Sequence, residues 1–182
     1  MSKRYEKIFL IGMPGCGKTT MGKVLAKELK YNFYDMDDYI EEISGKTIKE
    51  IFSKSEEHFR DLETEACKQL NKKRRSVIST GGGVIKRDEN IDIIKENSLV
   101  VFINRPVEKI IEDVDINSRP LLQGGKERLY NLYNERIYKY KKAADIEIIN
   151  EGFIRDTIDS IKREVKGKIK EWSYENNGNK WA

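Results

Sequence analysis

Sulfur and imidazole are scarce in this chain, which has two cysteines (Cys16 and Cys67) and a single histidine (His58) in 182 residues. Neither a disulfide framework nor a zinc site of the usual Cys/His type can be built from that set. Long apolar runs are missing as well. The charged stretch Met1–Lys7 leads into an apolar run too short for a signal-sequence core or a membrane span, so the cytoplasm is the expected compartment. Charge of one sign is not segregated. Lys and Arg number 35 against 31 Asp and Glu, a net charge of +4, and lysines and glutamates interleave, which argues against the basic stripe of a nucleic-acid binder. No internal repeat is visible.

What is present fits one α/β domain over residues 1–171. A polar tail follows at 172–182, expected to be disordered. Five short runs rich in Ile, Val, Phe and Tyr read as strands: Ile8–Ile11, Asn32–Tyr34, Val77–Ser79, Leu99–Ile103 and Ile146–Ile149. Between them, Lys18–Leu29, Glu56–Leu70, Lys126–Lys142 and Phe153–Glu171 have helical spacing. Strands alternating with helices predict a parallel sheet covered on both faces.

The segment Gly12-Met13-Pro14-Gly15-Cys16-Gly17-Lys18-Thr19 matches G-x-x-x-x-G-K-[ST], directly after the first strand and opening the first helix. Glycines there let backbone N–H groups converge on phosphate oxygens. The helix dipole adds to them, Lys18 reaches the β- and γ-phosphates, and the Thr19 hydroxyl is placed for Mg²⁺. Gly12, Gly15, Cys16, Gly17, Lys18, Thr19 and Thr20 are therefore the expected nucleotide contacts.

A guanine-reading N-K-x-D is absent, since Asn71-Lys72-Lys73-Arg74 lacks the aspartate. The third strand ends in hydroxyls, Ser79 and Thr80, where a large ATPase would carry an acid. The acids follow the second strand instead, in Asp35-Met36-Asp37-Asp38. Alternation along an extended strand end predicts Asp35 and Asp37 on one side of the crevice, able to hold Mg²⁺ and to accept a hydroxyl proton. As an isolated pattern, Asp-x-Asp also reads as a helix N-cap with first-turn acids.

Phosphoryl transfer to an acidic acceptor needs cations. Arg60 has Glu63 one turn on to hold it, Arg119 stands in Arg119-Pro120-Leu121-Leu122, and Arg136 precedes Ala143-Ala144-Asp145. Arg105, before Pro106, reads as a surface residue. Gly81-Gly82-Gly83 allows close approach of a ligand or, equally, a turn into the next helix. His58 reads as solvated, and Cys67 as a small helical hydrophobe.

In order and spacing over roughly residues 6–150, the phosphate loop, Asp35-Met36-Asp37, Phe59-Arg60-Asp61-Leu62-Glu63, Gly81-Gly82-Gly83, Arg119-Pro120-Leu121-Leu122 and Arg136…Ala143-Ala144-Asp145 resemble the shikimate kinases. The resemblance implies a three-layer α/β/α P-loop kinase fold with a five-stranded parallel sheet in order 2-3-1-4-5. A substrate-binding segment would span about 35–63 and a lid about 112–125. It implies transfer of the ATP γ-phosphoryl group to the 3-hydroxyl of shikimate, in aromatic amino-acid biosynthesis, with Mg²⁺ as cofactor; apart from the resemblance, a monomer is expected. Lys18 and Arg119 would stabilise the phosphoryl group, Thr19 and Asp35 would hold Mg²⁺, and Asp37 would orient the hydroxyl. Arg60, Arg136 and the Gly81, Gly82 and Gly83 backbone would bind shikimate. One departure stands out: where family members carry an adenine-stacking arginine ahead of the lid, this chain reads Ile110-Ile111-Glu112-Asp113. The open alternatives are another small-metabolite kinase of the same fold, such as a gluconate kinase, and a nucleotide-binding module without catalysis.

Overall fold

The computed structural model describes residues 4–113 and 125–170. Five parallel strands, β1 (Lys7–Ile11), β2 (Asn32–Asp35), β3 (Ser76–Ser79), β4 (Leu99–Asn104) and β5 (Ile146–Ile149), form one sheet in the order β2-β3-β1-β4-β5. Strands β1 and β4 are buried along their whole length, because both faces of a parallel sheet are covered by crossover helices. β5, at the edge, alternates instead: Ile146 and Ile148 point inward and Glu147 and Ile149 outward.

The helices are α1 (Lys18–Leu29), α2 (Met36–Ser44), α3 (Ile48–Lys54), α4 (Glu56–Leu70), α5 (Asp88–Lys95), α6 (Val107–Asp113), α7 (Gly125–Ala143) and α8 (Ile154–Val165). Their starts follow local chemistry. Thr47 and Glu50 form a reciprocal capping box for α3, and Ser55 caps α4 through the His58 N–H. α1 has no such cap. Gly17 enters it at φ +95°, and no side chain satisfies its first N–H groups, which leaves the helix N-terminus open to an anion.

Two features differ from the pattern-based expectation. The last helix ends at Val165 rather than continuing to Glu171, because Lys166 leaves the helical region and Gly167 adopts φ +77°. The chain then returns to bridge Tyr5 at Ile169. At the end of β2 the extended stretch stops at Asp35, and α2 starts at Met36, so the predicted strand alternation of Asp35 and Asp37 does not occur. Among the described residues no helix is long and apolar enough to cross a membrane.

Candidate active site

In a sheet of this order, β1 lies between strands reached by crossovers on opposite sides, and the crevice opens at the strands' carboxyl ends. The phosphate loop, Asp35 and the triple glycine all sit at such ends.

The loop begins at Gly12 with φ +148°, and a Cβ there would lie 2.5 Å from the Ile103 carbonyl oxygen and 2.9 Å from Cys16 Sγ. Conformation and space both require glycine. Gly15 and Gly17 also have positive φ. Lys18 is buried and folds back into the loop, its Nζ donating to the Gly12 and Met13 carbonyls at 2.9 Å each, with Cys16 Sγ at 3.7 Å. Thr19 and Thr20 are exposed in the first turn of α1. Asn150, from the loop after β5, ties the loop down by donating Nδ2 to the Cys16 carbonyl at 3.0 Å.

Thr19 Oγ1 donates to Asp35 Oδ2 at 2.7 Å and lies 3.2 Å from Ser79 Oγ. Hydroxyls and a carboxylate form an oxygen-only donor set, the kind Mg²⁺ prefers. Among the described residues no cluster of three His, Cys, Asp or Glu is placed to hold a metal. Mg²⁺ suits such a sparse site, since it retains water and takes phosphate oxygens as ligands.

Asp35 is the N-cap of α2, its Oδ1 accepting the Asp37 N–H at 3.0 Å. The N-cap reading of Asp-x-Asp is thus correct for the backbone, and it still delivers both carboxylates to the site. Asp37, half-buried in the first turn, has its carboxyl pushed up to about 6 by burial, with the charge of Asp35 adding and that of Lys18 opposing.

The three glycines after β3 each make room for a different group. A Cβ on Gly81 would lie 3.1 Å from Asp37 Oδ1 and 3.2 Å from Glu63 Oε1. On Gly82 it would lie 2.6 Å from Pro14 Cδ in the phosphate loop, and on Gly83 2.3 Å from Arg60 Nη1. The segment turns into a short 3-10 helix at Val84–Lys86 and in doing so brings loop, acids and guanidinium together.

Arg60 is buried, with Nη1 on Glu63 at 2.8 Å and Nη2 on Glu56 at 3.2 Å. Its guanidinium lies over the Phe59 and Phe52 rings at 4.9 and 5.5 Å. Glu63 is completely buried, and burial raises its pKa against the opposing pull of Arg60. Its Oε1 has no hydrogen-bond partner, and neither does Arg60 Nε. Arg136 is 4% exposed. Its Nη1 donates to the Gly82 carbonyl at 3.0 Å, its Nε is unsatisfied, and no carboxylate of the described residues pairs with it. Arg136 acts on the buried Glu63 carboxylate through its charge without pairing with it, and its vacant Nε suits an incoming anion.

Arg119 and most of the expected lid lie outside the described residues. Arg105 corrects its surface assignment: its side chain is 12% exposed, donates to the Asn150 carbonyl at 3.1 Å and pairs with Asp113. Glu112 pairs with Lys109 at 2.8 Å, so the two acids ahead of the lid are both engaged by cations. Ser79, Asn150 and Tyr140, which also bonds the Gly82 carbonyl, belong to the site and were not singled out for it by local pattern. A separate concavity of about 380 Å³ between α6, α7 and the end of β5, lined in part by Glu108, Tyr130, Tyr133 and Glu151, contains none of the expected site residues.

Residues 14–166 match the family model described as shikimate kinase. A shikimate kinase of Clostridium botulinum (strain Alaska E43 / Type E3) is 54% identical over 158 residues, 87% of this chain and 96% of its own length. A solved shikimate kinase from Acinetobacter baumannii in complex with shikimate superposes with a TM-score of 0.84 at 34% identity, covering 91% of this chain and 96% of that one. The shikimate kinase of Aquifex aeolicus vf5 gives 0.78 at 37% identity, over 88% and 96%. The loop from Pro14 onward, the acids, the glycines and the arginines fall within the matched region, and the chain belongs to the shikimate kinase family.

Proposed function

We propose that this enzyme transfers the γ-phosphoryl group of ATP to the 3-hydroxyl of shikimate, with the roles divided as follows. The open N-terminus of α1 and the loop glycines receive the phosphates, and Lys18 turns from its loop carbonyls to the transferring group. Arg60 and Arg136 take the shikimate carboxylate. Asp37 holds the attacking hydroxyl and accepts its proton as the oxygen–phosphorus bond forms and the bond to the bridging β–γ oxygen breaks, releasing ADP. Thr19 and Asp35 would hold Mg²⁺, which supplies charge neutralisation to the β- and γ-phosphates when bound. Arg119 completes the cationic surround. The reading takes the enzyme to be a cytoplasmic monomer, and its two buried cysteines are free thiols.

The observation that carries the reading is Arg136, a buried guanidinium with a vacant donor and no carboxylate partner among the described residues, beside a phosphate loop. Measuring ADP release with shikimate, with gluconate and with neither acceptor tests it. Turnover should depend on shikimate. Equal ADP release with gluconate would transfer the site to another metabolite, and no acceptor-dependent release at all would remove catalysis.

A further inference from the structure

Arg136 and Tyr140 lie one helical turn apart on α7 and converge on the same acceptor, the Gly82 carbonyl, at 3.0 and 2.5 Å. A carbonyl oxygen has two lone pairs, and these two donors take both. Tyr140 is completely buried, and its ring stacks on Phe102 of β4 with centroids 5.1 Å apart and planes inclined by 16°. Packing alone would be met as well by phenylalanine, whereas a buried hydroxyl needs a partner to avoid a desolvation penalty. Burial also drives the phenol pKa upward, so the group remains a neutral donor. The far side of Gly82 is closed by Pro14 of the phosphate loop. Gly82 is thus gripped between the loop and α7, and its carbonyl accepts from both the Arg136 guanidinium and the Tyr140 hydroxyl.

We infer that Tyr140 is a positioning residue for substrate binding: by holding the Gly82 carbonyl it fixes the direction in which Arg136 presents its remaining donors to the substrate carboxylate. Without the hydroxyl the carbonyl is held by Arg136 alone, and the guanidinium has to choose between anchoring and binding. The inference rests on the assignment of Arg136 to the shikimate carboxylate.

The test is a double-mutant cycle on the full chain, with shikimate and ATP affinities measured by calorimetry and melting temperature recorded. Tyr140→Phe should weaken shikimate binding about five- to tenfold, the loss of one oriented hydrogen bond, and leave ATP affinity within about twofold. In an Arg136→Ala background the same change should cost less than about twofold, because there is no guanidinium left to orient. A purely structural tyrosine would lower the melting temperature and weaken both ligands together. Tyr140→Met, which also lacks the donor and fills irregular space, serves if Tyr140→Phe does not fold. An unchanged shikimate affinity in Tyr140→Phe, or an equal loss with and without Arg136, overturns the inference and leaves the function standing. An Arg136→Ala enzyme with normal shikimate affinity would overturn the clamp assignment and this inference together.

Discussion

The two halves of the site solve the problem of holding an anion in opposite ways. The nucleotide half is made of backbone, with glycines at positive φ, an uncapped helix end and a lysine whose ammonium is already satisfied by the Gly12 and Met13 carbonyls. The acceptor half is made of buried side chains that each leave one atom unmet: Arg60 Nε, Arg136 Nε and Glu63 Oε1 lack partners. A backbone cradle can rest without ligand, because its N–H groups face water at little cost. A buried guanidinium with an unmet donor bears a desolvation cost until a partner arrives. On the proposed reading, the first half recognises phosphate in general and the second carries the selectivity.

The largest effect should come from the nucleotide half. Lys18→Ala should lower kcat by about a thousandfold or more, since the charge acts on the transferring phosphoryl group, while circular dichroism and melting temperature stay close to wild type. Retention of more than about a tenth of wild-type kcat, about 1.4 kcal/mol of barrier, would remove Lys18 from the chemistry and blur the contrast.

Between the halves stand the two aspartates, and they should separate. Asp37→Asn should lose about a hundredfold or more in kcat at every Mg²⁺ concentration, as an amide accepts no proton. Asp35→Asn should raise the Mg²⁺ requirement and recover in part at high metal. Asp37 acts when ionised, and burial places its carboxyl at about 6, so the pH–rate profile should fall by about tenfold per unit below that value. Rescue of Asp37→Asn, but not Asp35→Asn, by Mg²⁺ would exchange the two roles.

In the acceptor half, Arg60→Ala and Arg136→Ala should each weaken shikimate binding by about 2–4 kcal/mol, as for truncating one partner of a buried charge pair, with ATP affinity little changed. Calorimetric titration with each ligand separately decides this. A loss confined to ATP would erase the division between the halves.

How far the sequence reveals these halves follows the same physics. The phosphate loop is legible because backbone geometry demands glycine at fixed intervals, and the strand before it and helix after it are local patterns. Arg60 and Glu63 are legible as neighbours because they are one turn apart on α4. The contacts that complete the site are between residues remote in sequence: Tyr140 on Gly82, Asn150 on Cys16 and Thr19 beside Ser79. No local periodicity encodes them. Arg105 misleads for the same reason, since its partners Asn150 and Asp113 are brought to it by the fold. Asp35 misleads differently: a strand end and a helix cap share one residue, and alternation cannot show where the backbone turns.

The smallest expected effect gives the sharpest test, because it works with single methyl groups on adjacent residues. A Cβ on Gly83 would intrude on Arg60, with contacts of 2.3 Å to Nη1 and 2.7 Å to Nη2. A side-chain end can usually move aside, but this one is pinned by Glu63 and Glu56 and covered by two phenylalanines. A Cβ on Gly82 would instead meet Pro14, at 2.6 Å from Cδ and 3.1 Å from its backbone nitrogen, so there the phosphate loop itself has to shift. Neither glycine has a positive φ, and the conformation alone tolerates alanine. Gly83→Ala should therefore raise KM for shikimate about tenfold, within the 1–3 kcal/mol typical of overpacking, and spare ATP. Gly82→Ala should raise KM for ATP at least as much as that for shikimate, because it presses on the loop from below. If the two variants gave the same kinetic profile, the triple glycine would act as one flexible turn, and the boundary between the two halves would not run between Gly82 and Gly83.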